Sequence, residues 1–308
     1  EGALVLNNLL LTTACATVFI GTLYPLGLEV LTGERISVGA PFFNLTFAPL
    51  FVPLLLALPF GPMLAWKRGD LVGAAQRLYA AGIAALVSVA VLWAWVRGGS
   101  AFAPLAIGLA VFVIVGALTD VAERSMLFRM PLGIALRRAR GLPRASWGTM
   151  FAHLGVGVAL IGIVCETTWN SELISTLKPG DVAKVAGYEL KLDDISQRQG
   201  PNYGEMLAHF TVSEGGRVLG AMTPSKRSFA TRGMSTTEAA LMSRGVSQLY
   251  ISLGDTAASG AIAVRIYHKP MVLLIWFGPL LMAFGGLLSL SDRRLRVGAP
   301  NPAKAARG

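Results

Sequence analysis

The sequence predicts a polytopic α-helical membrane protein of about six transmembrane helices, with a small antiparallel β-barrel or β-sandwich domain inserted outside the membrane. Three observations support this fold class. Hydrophobic residues make up 54% of the 308 residues and charged residues only 14%, whereas an ordinary soluble domain carries about 25% charged residues. Six apolar runs reach the roughly 20 residues needed to cross a bilayer. The segment 170–270 instead shows the period-two alternation of strands.

The apolar runs define the predicted spans and the domain boundaries. The predicted spans are 3–31, 43–66, 77–96, 101–122, 146–169 and 271–290. They divide the chain into five transmembrane helices within 1–169, a β-rich domain at 170–270, a last transmembrane helix at 271–292 and a basic tail at 293–308.

Basic residues lie mainly in the loops on one side of the membrane and in the tail. They are Lys67, Arg68, Arg77, Arg124, Arg129, Arg137, Arg138, Arg140, Arg144, Arg293, Arg294, Arg296, Lys304 and Arg307. The opposite loops carry Arg35 and Arg97. The positive-inside rule therefore predicts cytoplasmic termini and a β-rich domain on the other side of the membrane. The net charge of +10 is therefore explained by the loops that orient the protein in the membrane. It predicts no nucleic-acid partner.

The inserted segment is expected to fold as strands joined by short turns. The predicted strands are 187–195, 206–213, 217–222, 246–253 and 261–268. Gly215 and Gly216 are expected to form a hairpin turn, because glycine adopts the positive φ that a tight hairpin needs.

His153 is the strongest candidate for a functional residue. It lies about 10 Å inside the fifth span, counted from Ser146 at 1.5 Å per residue. An ionisable ring at this depth is costly and normally faces a partner, a cavity or a cofactor. Gly157 lies one turn later on the same helix face, where the missing side chain would let a flat ligand approach. The structural alternative is a histidine that donates one hydrogen bond to a neighbouring helix.

The remaining polar residues point to no stand-alone catalytic site, and catalytic residues stay unknown. His209 is expected on a strand and His268 beside the last span, without an assigned role. Asp120 is interpreted as part of a solvated helix end. The two cysteines, Cys15 and Cys165, form no CxxC motif. Basic residues of the β-rich domain (Lys226, Arg227, Arg232 and Arg244) are candidates for contact with carboxylate groups of a ligand, with a solvated surface as the alternative.

Several ordered segments carry a resemblance to a known family. They are NNLLLTTACATVFIGTLYP (7–25), ISVGAPFFN (36–44), SWGTMFAHLGVGVALIGI (146–163), GPNY (200–203), MSTTEAAL (234–241) and KPMVLLIWFGPLLMAFGGLLSLSDRR (269–294). Over these segments the chain resembles the C-terminal half of the CcmF family, the membrane component of the haem lyase of bacterial c-type cytochrome maturation. The related NrfE proteins are similar.

The resemblance implies a role, a cofactor and partners. CcmF-type proteins of the bacterial inner membrane receive haem from the chaperone CcmE and join it to the CxxCH thiols of apocytochrome c on the periplasmic face, together with CcmH/CcmI-type proteins. They also hold a b-type haem between two transmembrane histidines, with quinol as an electron source. His153 matches one of these axial ligands, so the resemblance assigns it to haem b iron and places the β-rich domain in the periplasm.

The other ligands belong to the N-terminal half of the family. That half carries the second transmembrane histidine, the two periplasmic histidines and the tryptophan-rich attachment loop. The chain is therefore expected to work with an N-terminal half, either as a split subunit or as part of a longer protein. A non-catalytic scaffold that recruits maturation factors is the alternative, and a transporter is a third class.

Overall fold

The computed structural model describes residues 2–64, 69–96, 100–229, 233–257 and 260–292. Lys67, Arg68, Arg97, Arg232 and the tail 293–308, which entered the sequence analysis, lie outside the described residues.

All six predicted spans are helical within the described part of the chain. The helices are α1 (Gly2–Thr32), α2 (Ala40–Ala57), α3 (Leu71–Arg77), α4 (Tyr79–Trp95), α5 (Ala103–Ser125), α6 (Leu132–Arg140), α7 (Arg144–Trp169) and α8 (Leu274–Leu290). A 3-10 segment, Leu58–Met63, extends α2, where Pro59 and Pro62 prevent a regular α-helix from continuing.

The helices differ in their ability to cross a membrane. Within the described residues, four stretches are long and apolar enough: Val5–Thr32, Ala40–Met63, Ala103–Ser125 and Arg144–Trp169. A fifth is formed if α3 and α4, which are bent by 56°, count as one span. The helix α8 is apolar but has 17 residues. The structure therefore fits a membrane protein, and the number of six spans stays a prediction.

Two short helices, α3 and α6, are absent from the sequence prediction. Asp70 caps α3, because its Oδ1 accepts a hydrogen bond from the Gly73 amide at 2.9 Å. The last turn of α6 carries Arg137, Arg138 and Arg140, whose charges are favourable at the negative end of a helix dipole. Both segments lie between predicted spans and were interpreted as charged loops. Capping and helix-dipole interactions allow such charged residues to lie at the ends of short helices.

The chain forms two compact units. The first contains α1 to α6, α7 as far as Val158, and α8 from Gly278. The second runs from Ala159 to Phe277 and contains the β-domain. Only Asn170 separates α7 from the first strand, so the β-domain is a direct insertion between two helices, as predicted.

The β-domain is an antiparallel β-sandwich. Its strands are β1 (Ser171–Leu177), β2 (Val182–Val185), β3 (Tyr188–Gln199), β4 (Gly204–Glu214), β5 (Arg217–Met222), β6 (Ser225–Phe229), β7 (Met234–Glu238), β8 (Ala240–Arg244), β9 (Ser247–Thr256) and β10 (Ile262–Lys269). One sheet has the order β1-β10-β9-β8. The other has the order β2-β3-β4-β6-β7, with β5 paired to β4.

The inward-facing residues of both sheets form one core. Leu190, Leu192 and Phe210 come from one sheet, and Ile251 and Ile266 come from the other. All five are fully buried. Alternate positions of each strand supply this core, because successive strand side chains point to opposite faces. The sequence left a β-barrel and a β-sandwich as alternatives. The two packed sheets show that the domain is a sandwich.

The predicted strands and hairpin are found, but half of the strands were missed. Gly215 and Gly216 have φ values of 56° and 80° and connect the paired residues Glu214 and Arg217. The strands β1, β2, β6, β7 and β8 were not predicted. They are short or polar, and all residues of β7 are exposed, so their pairing partners rather than their own pattern make them strands.

Candidate functional site

Glycines of α7 allow close packing against α8. A Cβ placed on Gly148 would lie 2.5 Å from the carbonyl oxygen of Gly285, and a Cβ on Gly155 would lie 2.5 Å from that of Gly278. Further along, a Cβ on Gly162 would lie 2.8 Å from the amide nitrogen of Ile275. These glycines are seven residues apart and therefore share one helix face. Small residues of this kind let membrane helices approach through their backbones.

Gly157 faces α5. A Cβ on Gly157 would lie 2.5 Å from Ile114 Cγ1 and 3.0 Å from the carbonyl oxygen of Ala110. Residues of α5 thus fill the space that the sequence analysis reserved for a flat ligand. In this arrangement Gly157 serves helix packing, and it is left out of the cofactor site proposed below.

His153 is half-buried on α7, one turn before Gly157. Its Nδ1 is buried and has no hydrogen-bond partner within the described part of the chain. The charge of Asp120, on α5, acts on the imidazole ring. The structure thus brings together a histidine singled out by the sequence and a carboxylate that the sequence analysis had placed in solvent.

Asp120 is buried, with 4% of its surface exposed, which corrects its interpretation as a solvated helix end. Arg124 Nε donates to Asp120 Oδ1 at 2.8 Å, and Arg124 Nη2 donates to the Pro62 carbonyl oxygen at 3.3 Å. Asp120 Oδ2 is buried and has no hydrogen-bond partner among the described residues. The sequence feature that could have indicated burial of Asp120 is its position inside an apolar helix, one turn before Arg124.

The other two histidines lie in different sheets of the β-sandwich, His209 on β4 and His268 on β10. His209 Nε2 lies 3.0 Å from Ser196 Oγ on the neighbouring strand. His268 packs against Tyr188, with ring centroids 5.6 Å apart. Burial lowers the pKa of His268 below its ordinary value, and the Glu214 carboxylate opposes that shift.

The basic residues of the sandwich are paired with carboxylates. Lys226 lies 2.6 Å from Asp255, and Arg244 lies 3.0 Å from Glu214. Arg227 donates to the buried Glu205 at 3.0 Å, and Arg198 binds the same carboxylate. The hydrogen bond from Arg227 holds the pKa of Glu205 below its ordinary value. For the described members of this set, these pairings favour a solvated surface over contact with ligand carboxylates.

Among the described residues, no group of three or more His, Cys, Asp and Glu side chains could hold a metal ion. The candidate cofactor site is therefore a single imidazole, which suits haem, because the porphyrin itself supplies the equatorial ligands and the protein supplies axial ones. His153 is a neutral ligand of the required type, placed in an apolar helix with one ring nitrogen unpartnered.

Apolar helices that fit a membrane, together with an inserted β-sandwich, define a membrane protein with one inserted β-domain. Residues 168–270 match the CcmF C-terminal beta-sandwich family. The chain is 73% identical over 305 residues to the cytochrome c-type biogenesis protein CycK of Bradyrhizobium diazoefficiens, covering 99% of this chain and 46% of that protein. It is 35% identical over 312 residues to the cytochrome c-type biogenesis protein CcmF of Pseudomonas aeruginosa, covering 100% of this chain and 46% of that protein.

A solved structure named Cytochrome c Heme Lyase CcmF shares the fold, with a TM-score of 0.72 and 22% identity, over 94% of this chain and 46% of that one. Over nearly its whole length the chain is similar to the C-terminal half of CcmF-type proteins. It thus spans about half the length of these relatives (46% of each). The resemblance drawn from the sequence segments is confirmed.

Proposed function

We propose that the chain is the C-terminal part of a cytochrome c haem lyase, which joins haem to the CxxCH thiols of apocytochrome c. The observation that carries this proposal is a half-buried imidazole, His153, in an apolar helix of a CcmF-type chain. The relatives named for cytochrome c-type biogenesis support the process. The solved neighbour named for haem lyase activity supports the reaction class.

In this proposal His153 is one axial ligand of a b-type haem within the membrane. A neutral imidazole binds haem iron through one ring nitrogen, and the other nitrogen is then free to donate a hydrogen bond. The haem, when bound, supplies a one-electron carrier that can reduce the substrate haem, with quinol as an electron source. The second axial ligand comes from the N-terminal half, in the same chain or a separate one.

The β-sandwich is proposed to lie in the periplasm of a bacterial inner-membrane protein, where it meets CcmE, CcmH/CcmI-type proteins and apocytochrome c. The charge distribution of the loops supports this orientation. Its surface carries exposed apolar side chains, including Ile174, Val218 and Leu241, which are suited to contact with partner proteins.

The test is a reduced-minus-oxidised spectrum of the detergent-purified protein, co-expressed with its N-terminal half, with and without His153→Ala. We expect a b-type signal that His153→Ala removes. His209→Ala is the matched control, because it also removes one imidazole but lies in the β-sandwich, and it should keep the signal. A protein that contains no haem, or whose spectrum survives His153→Ala, would show that His153 is not a ligand.

A maturation assay distinguishes a chain that takes part in haem ligation from a non-catalytic scaffold. His153→Ala should abolish cytochrome c maturation in cells if the chain contributes a haem ligand, while the protein level stays normal. Normal cytochrome c maturation with His153→Ala would contradict the lyase role and favour the scaffold alternative.

A further inference from the structure

Two unpartnered polar atoms lie on neighbouring helices close to the candidate haem site. In the described part of the chain, three buried side-chain nitrogen or oxygen atoms have no hydrogen-bond partner: Asp120 Oδ2, His153 Nδ1 and Trp169 Nε1. The first is an acceptor on α5, and the second becomes a donor whenever Nδ1 carries the ring proton. Buried polar groups are normally paired, so this pair requires an explanation.

The carboxylate is held in a defined orientation. Arg124 occupies Asp120 Oδ1 at 2.8 Å and is itself fixed by the Pro62 carbonyl oxygen at 3.3 Å. This contact leaves Oδ2 as the acceptor without a partner in the described part of the chain. An ionisable group inside a membrane helix is costly and normally marks a functional position.

The two groups lie on helices that pack against each other. Gly157 lets α7 approach α5 at Ala110 and Ile114. His153 lies one turn before Gly157 on the same helix face, and Asp120 lies beyond Ile114 along α5. The charge of Asp120 acts on the His153 ring, which agrees with this placement.

We propose that Asp120 is a positioning residue for His153, through one water molecule that accepts a hydrogen bond from its Nδ1–H and donates one to Asp120 Oδ2. This inference rests on the proposed haem ligation by His153. Histidines that bind metals normally donate their other ring N–H to a carboxylate, a carbonyl or water, which selects the tautomer, orients the ring and raises its basicity. With Nδ1 held by Asp120 in this way, the Nε2 lone pair of His153 would be the one available to haem iron.

The hydrogen bond has a measurable consequence for the haem. A more basic imidazole stabilises ferric over ferrous iron, so the pairing lowers the midpoint potential of the b haem. Asp120→Asn keeps the shape of the side chain but removes the anionic acceptor. We expect its haem to have a higher midpoint potential and an affinity about 10-fold weaker, the lower end of the effect of removing such partners.

The experiment uses the full protein with both halves, purified in detergent with its haem. The readouts are a redox titration of the b-type signal and the rate at which haem is lost to apomyoglobin. Asp120→Glu, which retains the charge, should restore most of the wild-type potential. Glu123→Gln is the matched control: it removes a carboxylate from the same end of α5, where Glu123 pairs with Arg129 at 3.3 Å, and it should change neither readout.

Each outcome decides one of the two proposals. Wild-type potential and haem retention in Asp120→Asn would overturn the role of Asp120, whereas loss of haem in His153→Ala would still support the ligand assignment. Haem that survives His153→Ala removes the proposed function itself. If Asp120→Asn does not accumulate, Asp120→Ser, which also removes the carboxylate, is compared with Glu123→Ser: an upward shift only at residue 120 supports the inference, and an unchanged potential overturns it.

Discussion

Gly148 of α7 and Gly285 of α8 meet backbone to backbone. A Cβ on either glycine would lie 2.5 Å from the carbonyl oxygen of the other, so neither position has room for a side chain. Because lipid tails are as apolar as helix surfaces, close van der Waals packing of this kind is a main source of helix association in membranes. The helix that carries His153 is therefore held at a fixed distance from α8.

Gly148→Val should destabilise the helical unit. The obstacle is the backbone of α8, which has no rotamer to change, so overpacking should cost about 1–3 kcal/mol. The measurement is the temperature at which the detergent-solubilised protein loses its monodisperse peak in size-exclusion chromatography. Gly82→Val is the matched control, because an added Cβ at Gly82 in α4 meets nothing within 4 Å. Equal losses of stability in the two variants would contradict a packing role for Gly148.

Ile251→Ala should destabilise the β-sandwich by about 2–5 kcal/mol, because it leaves a cavity in the shared core of the two sheets. Ile251 is fully buried, whereas Ile174 has 61% of its surface exposed. Ile174→Ala, the same chemical change on the outside, should stay within about 0.5 kcal/mol of the wild type. Hydrogen exchange of peptides from β3, β4 and β9 in the full chain reports the opening free energy. A similar cost at both positions would disprove the assigned core.

The stability of the β-sandwich should fall as the pH drops below about 6.5. Burial lowers the pKa of His268 from its ordinary value of 6.5, so the unfolded chain binds this proton at a higher pH than the folded chain does. Stability is then complete above the unfolded pKa and is lost as the pH falls toward the folded pKa. His268→Phe keeps an aromatic ring beside Tyr188 and should flatten this dependence.

The readout for His268 is hydrogen exchange of the sandwich at pH 7.5, 6.5 and 5.5, corrected for the intrinsic exchange rate. His209→Gln is the control, because it removes the other imidazole of the domain and should leave the pH dependence in place. A wild-type profile that is flat across these pH values would contradict the assignment.

The β-sandwich and α6 should lie on opposite sides of the membrane. Val218→Cys in β5 and Leu132→Cys in α6 make matched probes, because both side chains have 64% of their surface exposed. With Cys15 and Cys165 replaced by serine, a membrane-impermeant maleimide should label Val218→Cys in cells with a permeabilised outer membrane. It should label Leu132→Cys only after lysis. The reverse pattern would invert the orientation inferred from the basic loops.

The sequence alone indicated a membrane protein with an inserted β-domain, and it placed six apolar helical segments and five of the ten strands of the described residues. These features depend on local properties: an apolar run of sufficient length and an alternation with period two. It also identified His153, because an ionisable residue inside an apolar run is visible without any knowledge of packing. The family resemblance was carried by the order of long segments.

Only the tertiary structure decided what these elements contact. Gly157, interpreted from its helix face as space for a ligand, is filled by Ile114 and Ala110 of α5. Asp120, interpreted as solvated, is buried near His153. The all-exposed strand β7 exists because β6 pairs with it. Each of these outcomes depends on residues distant in the chain, and a local pattern shows which face of an element is apolar or open but not which neighbour packs against that face.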